Sequence, residues 1–163
     1  MESRAKLLGH PVHPMLIVLP LGLFIGAVVF DAIHVWRGST TMAVVAYWNI
    51  AGGVVGGLLA AVFGLIDWLA IPEGSRAKRI GLLHGGANLV VVLSFATAWW
   101  MRSESAEHLA TNGVFMLEVG ALILGAIAGW LGGELVDRLG VGVDDGANVN
   151  APSSLSGRPA TGR

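Results

Sequence analysis

Four long apolar runs without a single Asp, Glu, Lys or Arg dominate this chain of 163 residues. They cover 7–30, 38–66, 80–101 and 119–133. A helix needs about 20 residues to cross a hydrocarbon core of about 30 Å, so the first three runs are long enough. The fourth is long enough if Glu118 and Glu134 lie near opposite interfaces. The sequence therefore predicts an all-α integral membrane four-helix bundle, with helices at about 14–36, 43–71, 80–101 and 113–137.

Composition supports the membrane interpretation and excludes several other classes of protein. Charged residues make up 13% of the chain, against about 25% in typical soluble domains. The absence of cysteine excludes disulfides, thiolate metal sites and cysteine nucleophiles. The net charge is −1 and no long basic run is present, which gives nucleic-acid binding no support. The lipid bilayer is the predicted partner.

Basic residues indicate the orientation of the bundle. They concentrate at the N-terminus, in the loop between the second and third helices, and on the C-terminal side: Arg4, Lys6, Arg76, Lys78, Arg79, Arg138, Arg158 and Arg163. The opposite loops contain Arg37 and Arg102. The positive-inside rule then predicts that the N- and C-termini are cytoplasmic, in the plasma membrane of a bacterium. A cleaved signal peptide is disfavoured, because the first apolar run contains Pro20 and no small-residue cleavage pattern follows it.

Three regions follow from these patterns. Residues 1–13 form an N-terminal cytoplasmic strap, 14–142 the four-transmembrane-helix domain, and 143–163 a polar tail predicted to be disordered. Glycine pairs at four-residue spacing, such as Gly52 and Gly56, predict close helix contacts. The two helical hairpins could be related, but beyond hydropathy the sequence shows no convincing repeat.

The segment HPVHP, residues 10–14, combines two histidines with two prolines. Since His10 and His13 each precede a proline, both are disfavoured from helical conformation. An extended strap that presents two imidazoles is therefore predicted, with the first helix beginning at Pro14. Pro20 removes a backbone hydrogen bond to the carbonyl of Leu16 and should kink the first helix.

Asp67, His84 and Glu134 are predicted to come to the same depth as the strap. At 1.5 Å per residue each lies within roughly 5–10 Å of the inner interface. Two interpretations without a functional site stay open. The carboxylates of Asp67 and Glu134 are hydrated or paired with nearby arginines, and His84 is a neutral core residue bonded to Asn88. A second polar set consists of Asp31, His34 and Glu118 near the outer face, and the sequence assigns it no role.

These residues carry a resemblance to a known family. The motifs are HPVHP followed by Pro20 and Gly22, then Asp31, GLIDW at 64–68, HGGAN at 84–88 and GGELVDRLGVGV at 132–143. In this order they resemble the domain of unknown function 2231 family, whose members are small four-helix bacterial membrane proteins. The chain departs from that pattern at Asp137, where a tyrosine is common. Some relatives resemble fusions to iron–sulfur Rieske domains, which implies a link to electron transfer.

Four functions are compatible with the sequence. The first is binding of haem b by His13 and His84. The second is a zinc or iron site, with a set of candidate ligands on the inner side: His10, His13, Asp67, His84 and Glu134. The third is proton-coupled transport of a small molecule, which would require a homodimer. The fourth is a structural or assembly subunit without a cofactor.

The most specific interpretation is a redox-associated membrane protein that holds haem or a metal at its inner face. A partner in a redox chain would then exchange electrons with it. No catalytic residue and no substrate can be named from the sequence.

Overall fold

The computed structural model describes residues 1–161, and most of them are helical. Five α-helices follow one another: α1 (Val12–Leu16), α2 (Val18–Arg37), α3 (Thr40–Ala70), α4 (Arg76–Ser103) and α5 (Asn112–Gly133). A π-helical turn, Glu134–Arg138, continues α5. Two short strands, β1 (Lys6–Leu7) and β2 (His10–Pro11), and a 3-10 turn at Ser154–Ser156 complete the described elements.

Four helical segments are long and apolar enough to cross a membrane, which confirms the predicted all-α four-helix fold. They are Val12–Arg37, Thr40–Ala70, Arg76–Ser103 and Asn112–Arg138. Large apolar side chains such as Leu58, Leu82 and Ile123 are more than half exposed on these segments. An apolar outer surface is what a bilayer solvates, so these side chains are the lipid-facing ones.

Hydroxyl side chains mark the beginnings of three of the four spans. The side-chain oxygens of Ser39, Ser75 and Thr111 each accept a hydrogen bond from the backbone three residues on. Such N-caps satisfy amide groups that the first helical turn leaves unpaired. They explain why α3 begins at Thr40 and α4 at Arg76, a few residues before the predicted starts at 43 and 80.

The beginning of the first span differs from the prediction. His13 is helical, in the second position of α1, and Pro14 occupies the third position instead of the first. Proline is tolerated there because the first-turn amides have no intrahelical acceptor. The helix is interrupted at Ile17, beside the Leu16 carbonyl that Pro20 cannot bond. The extended strap is therefore shorter than predicted, and the kink at Pro20 stays a prediction.

Strands β1 and β2 form an antiparallel hairpin immediately before α1. Its two-residue turn, Leu8 and Gly9, has φ values of 51° and 86°. Positive φ at both positions is the primed turn type that matches strand twist. The hairpin contacts the other end of the chain, where the Lys6 ammonium lies 2.5 Å from Asp144 and the Gly142 amide donates to the Met1 carbonyl. We call this the terminal end of the bundle, and the end with the 38–39 and 104–111 loops the distal end.

Contacts between residues 71 positions apart indicate that the two helical hairpins are related by a pseudo-two-fold axis along the bundle. A spacing of 71 residues separates Asp31 from Arg102, which bond to each other across the axis. The same spacing separates Phe24 from Phe95, whose rings stack with centroids 4.0 Å apart. It also separates His13 from His84, whose ring centroids lie 6.2 Å apart. Equivalent positions of the two halves therefore meet at three depths, from the terminal to the distal end.

Glycines of α3 allow the first hairpin to pack closely, as their four-residue spacing predicts. A Cβ added at Gly53 would lie 2.5 Å from the Phe24 ring, and one at Gly56 would lie 3.0 Å from Leu19. By contrast, nothing lies within 4 Å of a Cβ placed at Gly22 or Gly129. The packing role is thus concentrated in α3, where it brings the Phe24 ring onto the axis.

Candidate functional site

The imidazole of His13 is held against α3 at the terminal end. Its Nδ1 lies 2.8 Å from the carbonyl oxygen of Ala60. One turn further along α3, a Cβ at Gly64 would lie only 2.9 Å from both Cε1 and Nδ1 of the ring. Any larger residue at position 64 would therefore occupy the place of the ring. The imidazole of His13 is thus held by the carbonyl of Ala60 and the space at Gly64, and we call this arrangement its seat.

His84 has an equivalent seat in the second hairpin. Its Nδ1 lies 2.8 Å from the carbonyl oxygen of Ala128 on α5. A Cβ at Gly132 would lie 3.0 Å from Cε1 of the ring. Ala128 and Gly132 stand 68 residues after Ala60 and Gly64, so the two seats are copies of one arrangement.

Hydrogen bonding assigns the same tautomer to both histidines. A carbonyl oxygen only accepts, so each Nδ1 carries the hydrogen and each Nε2 keeps its lone pair. The rings meet at 85°, with centroids 6.2 Å apart. The Asn88 amide nitrogen lies 3.3 Å from Nε2 of His84, while within residues 1–161 His13 Nε2 has no hydrogen-bond partner. Both rings are half-buried.

Three other predicted ligands are engaged elsewhere. Asp67 accepts hydrogen bonds from the Ser3 hydroxyl and the Arg4 amide, both at 2.8 Å, and so anchors the N-terminal segment to α3. Glu134 pairs with Arg76 at 2.5 Å, and His10 contacts the Ser154 hydroxyl.

In the part of the chain that the structure describes, no three His, Asp or Glu side chains are placed to hold one metal ion. Of the five predicted metal ligands, the structure brings together His13 and His84, and the five-residue metal site does not form. Glu134 is paired with an arginine, as one interpretation expects, whereas Asp67 is bonded to the Ser3 hydroxyl and the Arg4 backbone amide and not to an arginine side chain.

A second polar cluster lies at the distal end, and we call Asp31, Arg102 and Glu118 the distal cluster. The guanidinium of Arg102 donates to both oxygens of Asp31, at 2.6 and 3.0 Å, and to Glu118 at 3.0 Å. Exposure of all three side chains is 1% or less. The cluster joins α2, α4 and α5 and lies beneath the 104–111 loop.

Arg102 is the residue of this cluster that the sequence did not single out. One basic residue close to the end of an apolar run has the pattern of an interfacial loop residue. Two of its further hydrogen bonds go to main-chain carbonyls, those of Ala43 and His108, each at 2.9 Å. The 71-residue spacing from Asp31 was the available signal, because the same spacing relates the two histidines.

Two shallow grooves lie on the outer surface of the bundle. Val90, Leu93, Ser94, Thr97 and Leu117 line the first. Trp130, Gly133, Glu134, Asp137 and Arg138 line the second, at the terminal end. Neither groove includes His13 or His84.

Comparison with known proteins gives one match. Residues 9–145 match the family described as predicted membrane protein, domain of unknown function 2231. No curated protein and no solved structure matches the chain. The match spans both histidines, the distal cluster and all four candidate spans, which is most of the chain. The chain therefore belongs to the domain of unknown function 2231 family of predicted membrane proteins.

Proposed function

We propose that this protein is a redox-associated membrane protein in which His13 and His84 would hold one b-type haem through Nε2. The observation that carries the proposal is the pair of matched seats: in each, a main-chain carbonyl accepts a hydrogen bond from Nδ1, so Nε2 is the ring nitrogen with a lone pair. At His84 the Asn88 amide, 3.3 Å from Nε2, would have to move aside. Histidines that ligate metals characteristically donate their other ring nitrogen to a carbonyl or carboxylate in this way. When bound, the haem would supply one-electron transfer.

The number of available ligands favours haem over a bare metal ion. Structural zinc takes four protein ligands, catalytic zinc takes three, and non-haem iron typically uses two histidines and a carboxylate. The described residues offer two imidazoles without a third group within reach. Haem iron needs only axial ligands from the protein, because the macrocycle fills the other positions.

The separation of the rings is compatible with one iron between them. At the zinc–histidine bond length of about 2.0–2.1 Å, two imidazole nitrogens that shared one metal would lie about 4 Å apart. Imidazole rings whose centroids are 6.2 Å apart allow such a separation. Gly64 and Gly132 leave the space that the rings occupy, because a Cβ would lie 2.9 Å from the His13 ring at one position and 3.0 Å from the His84 ring at the other.

The structure gives proton-coupled transport less support. Between the two polar ends, the axis is filled by the stacked rings of Phe24 and Phe95, with Ala27 and Ile50 fully buried beside them. A relay of protons would need polar groups or water at that depth. A subunit without a cofactor remains as an outcome of the experiment below.

The test is a visible spectrum of detergent-purified protein from cells supplied with haem precursor and metals. We expect a Soret band, with α and β bands that sharpen on reduction by dithionite, at one haem per chain. His13→Ala and His84→Ala should each abolish the low-spin spectrum. His34→Ala is the matched control, because His34 bonds the Ser39 carbonyl at the distal end and should leave the spectrum unchanged.

Other outcomes would contradict the proposal. If the protein contains stoichiometric copper, zinc or iron and shows no Soret band, the histidines bind a metal ion instead of haem. A colourless and metal-free protein from the supplemented cells would leave an assembly role.

We also propose that the terminal end faces the cytoplasm of a bacterial cell. The support is the concentration of basic residues at that end. Because the chain has no cysteine, single cysteines at Ser153 and at Ser105 can report the orientation. An impermeant maleimide applied to intact cells should label Ser105→Cys and spare Ser153→Cys, and the reverse pattern would invert the topology.

A further inference from the structure

The distal cluster has one more acid than base. Asp31 and Glu118 are 0% exposed, and the one cation that contacts them, Arg102, is 1% exposed. If both acids were ionised, the cluster would hold an uncompensated negative charge away from water. Such a charge is costly in a low-dielectric environment unless it is neutralised. Charge balance therefore requires a proton or another cation at this place.

The hydrogen bonds of Arg102 show which of the two acids carries the excess negative charge. A guanidinium has five N–H groups, and each of them has an acceptor: two at Asp31, and one each at Glu118, Ala43 and His108. Asp31 has both oxygens bonded to the guanidinium. Glu118 has only Oε1 bonded, so the arginine has no donor left for its second oxygen.

Oε2 of Glu118 is buried and has no hydrogen-bond partner within residues 1–161. The titratable neighbours are already engaged. The His108 ring bonds the Arg102 carbonyl through Nδ1 and stacks on Tyr47 at 3.8 Å, and His34 bonds the Ser39 carbonyl. Asp31 and Arg102 are therefore the charged groups that face Glu118. A buried carboxylate oxygen without a donor is the place where a ligand is missing.

We propose that Oε2 of Glu118 is a proton-binding site, so that the distal cluster holds Glu118 as a neutral carboxylic acid beside the Asp31–Arg102 ion pair. The bound proton removes the excess charge and leaves the Arg102 hydrogen bond to Oε1 intact. Loss of that proton would place a full negative charge in the cluster. The site is thus a point of proton uptake and release at the distal end, independent of any cofactor at the histidines.

Infrared spectroscopy of the protein in lipid vesicles tests this proposal directly. At neutral pH we expect the carbonyl-stretching band of a protonated carboxylic acid, which shifts to lower frequency in D2O. Labelling with carboxyl-¹³C glutamate should shift the band, and labelling with carboxyl-¹³C aspartate should leave it in place. Glu118→Gln should abolish it, whereas Glu134→Gln should retain it, because Glu134 is ion-paired with Arg76 at the other end.

A second measurement separates a neutral acid from a permanent carboxylate. Glutamine has nearly the shape of a neutral glutamic acid, so Glu118→Gln should keep the melting temperature of the wild type. Asp31→Asn should lower it, because it removes the carboxylate that bonds Arg102 twice.

Three results would overturn the proposal. One is the absence of the band in wild-type protein at neutral pH, above all if stability then depends on sodium or potassium. Another is a band that responds to labelled aspartate instead of labelled glutamate. The third is a Glu118→Gln variant that fails to fold, since that would show a charged Glu118 to be required.

Discussion

Exchange of the two charged residues on the axis tests the pseudo-two-fold relation of the hairpins. Asp31 and Arg102 occupy equivalent positions of the two halves and bond each other across the axis. Asp31→Arg alone, or Arg102→Asp alone, leaves like charges facing each other in a buried site. The double variant restores an opposite-charge pair with the two halves exchanged. Its stability should therefore recover in part.

The expected magnitudes follow from the contacts. Breaking a buried ion pair by changing one partner costs about 3–5 kcal/mol, so two independent changes would add to about 6–10 kcal/mol. The exchanged pair keeps its charge balance but loses the bonds of Arg102 to Glu118, Ala43 and His108. All three bonds have the charged guanidinium as donor, so together they contribute about 4.5–9 kcal/mol. The double variant should thus cost less than the additive sum, because it relieves the like-charge contacts of the single variants and does not restore these bonds.

The assay is unfolding by SDS in mixed micelles, followed by circular dichroism, for the wild type, both single variants and the double variant. The matched control is the same exchange of Arg76 and Glu134, a pair with 53% and 18% exposure. An exposed pair of this kind contributes about 0–1 kcal/mol, so this second cycle should be nearly additive. If the double variant of Asp31 and Arg102 costs the full sum of its two single variants, the pseudo-two-fold relation is refuted.

Three further predictions concern the terminal end. Gly64→Ala should displace the His13 ring, whose nearest atoms lie 2.9 Å from the new Cβ, at a cost of about 1–3 kcal/mol for overpacking; Gly86→Ala, with nothing within 4 Å, is the control in the same unfolding assay. Asp67→Ala removes the acceptor of the Ser3 hydroxyl and the Arg4 amide, so amide hydrogen exchange of residues 3–5 should accelerate, and unchanged protection would contradict that anchor. A hydrogen bond from Lys6 lowers the pKa of Glu2 below its ordinary 4.5. The Glu2–Lys6 ion pair therefore stabilises the N-terminal segment above pH 4.5, and this stabilisation is lost as the pH falls through the lowered pKa. NMR shifts of the β1–β2 hairpin should follow that acidic titration.

The four spans could be predicted from the sequence. Burying charge in lipid is costly, so segments that span the membrane are uncharged over the required length. The helix starts were less accurate, because a cap such as Ser75 extends α4 through three basic residues that the hydropathy pattern excludes. His13 was predicted to be extended from its proline neighbour. In the structure it is helical, since the first turn of a helix needs no amide from Pro14.

The pairing of the candidate residues was harder to predict. His84 and His13 were expected at one depth, and the structure brings their rings together. The sequence does not reveal the repeat that explains this contact, because its most polar equivalent positions, Asp31 and Arg102, are occupied by unlike residues of opposite charge. The spacing also changes from 71 residues in one pair of helices to 68 in the other, so no single offset aligns the two halves of the sequence. Contacts of that kind emerge only when the helices are placed side by side.

The spacing between Asp31 and Arg102 also has a consequence for how the protein is made. Asp31 enters the membrane with the first span, and Arg102 follows 71 residues later, at the end of the third. At about 5–20 residues per second, the ribosome needs roughly 4–14 s to deliver that partner. During this interval the first hairpin carries an unpaired carboxylate, held near the membrane surface where its charge costs least. Asp31 therefore gains its partner only after the third span has been made, and Glu118 joins them with the fourth.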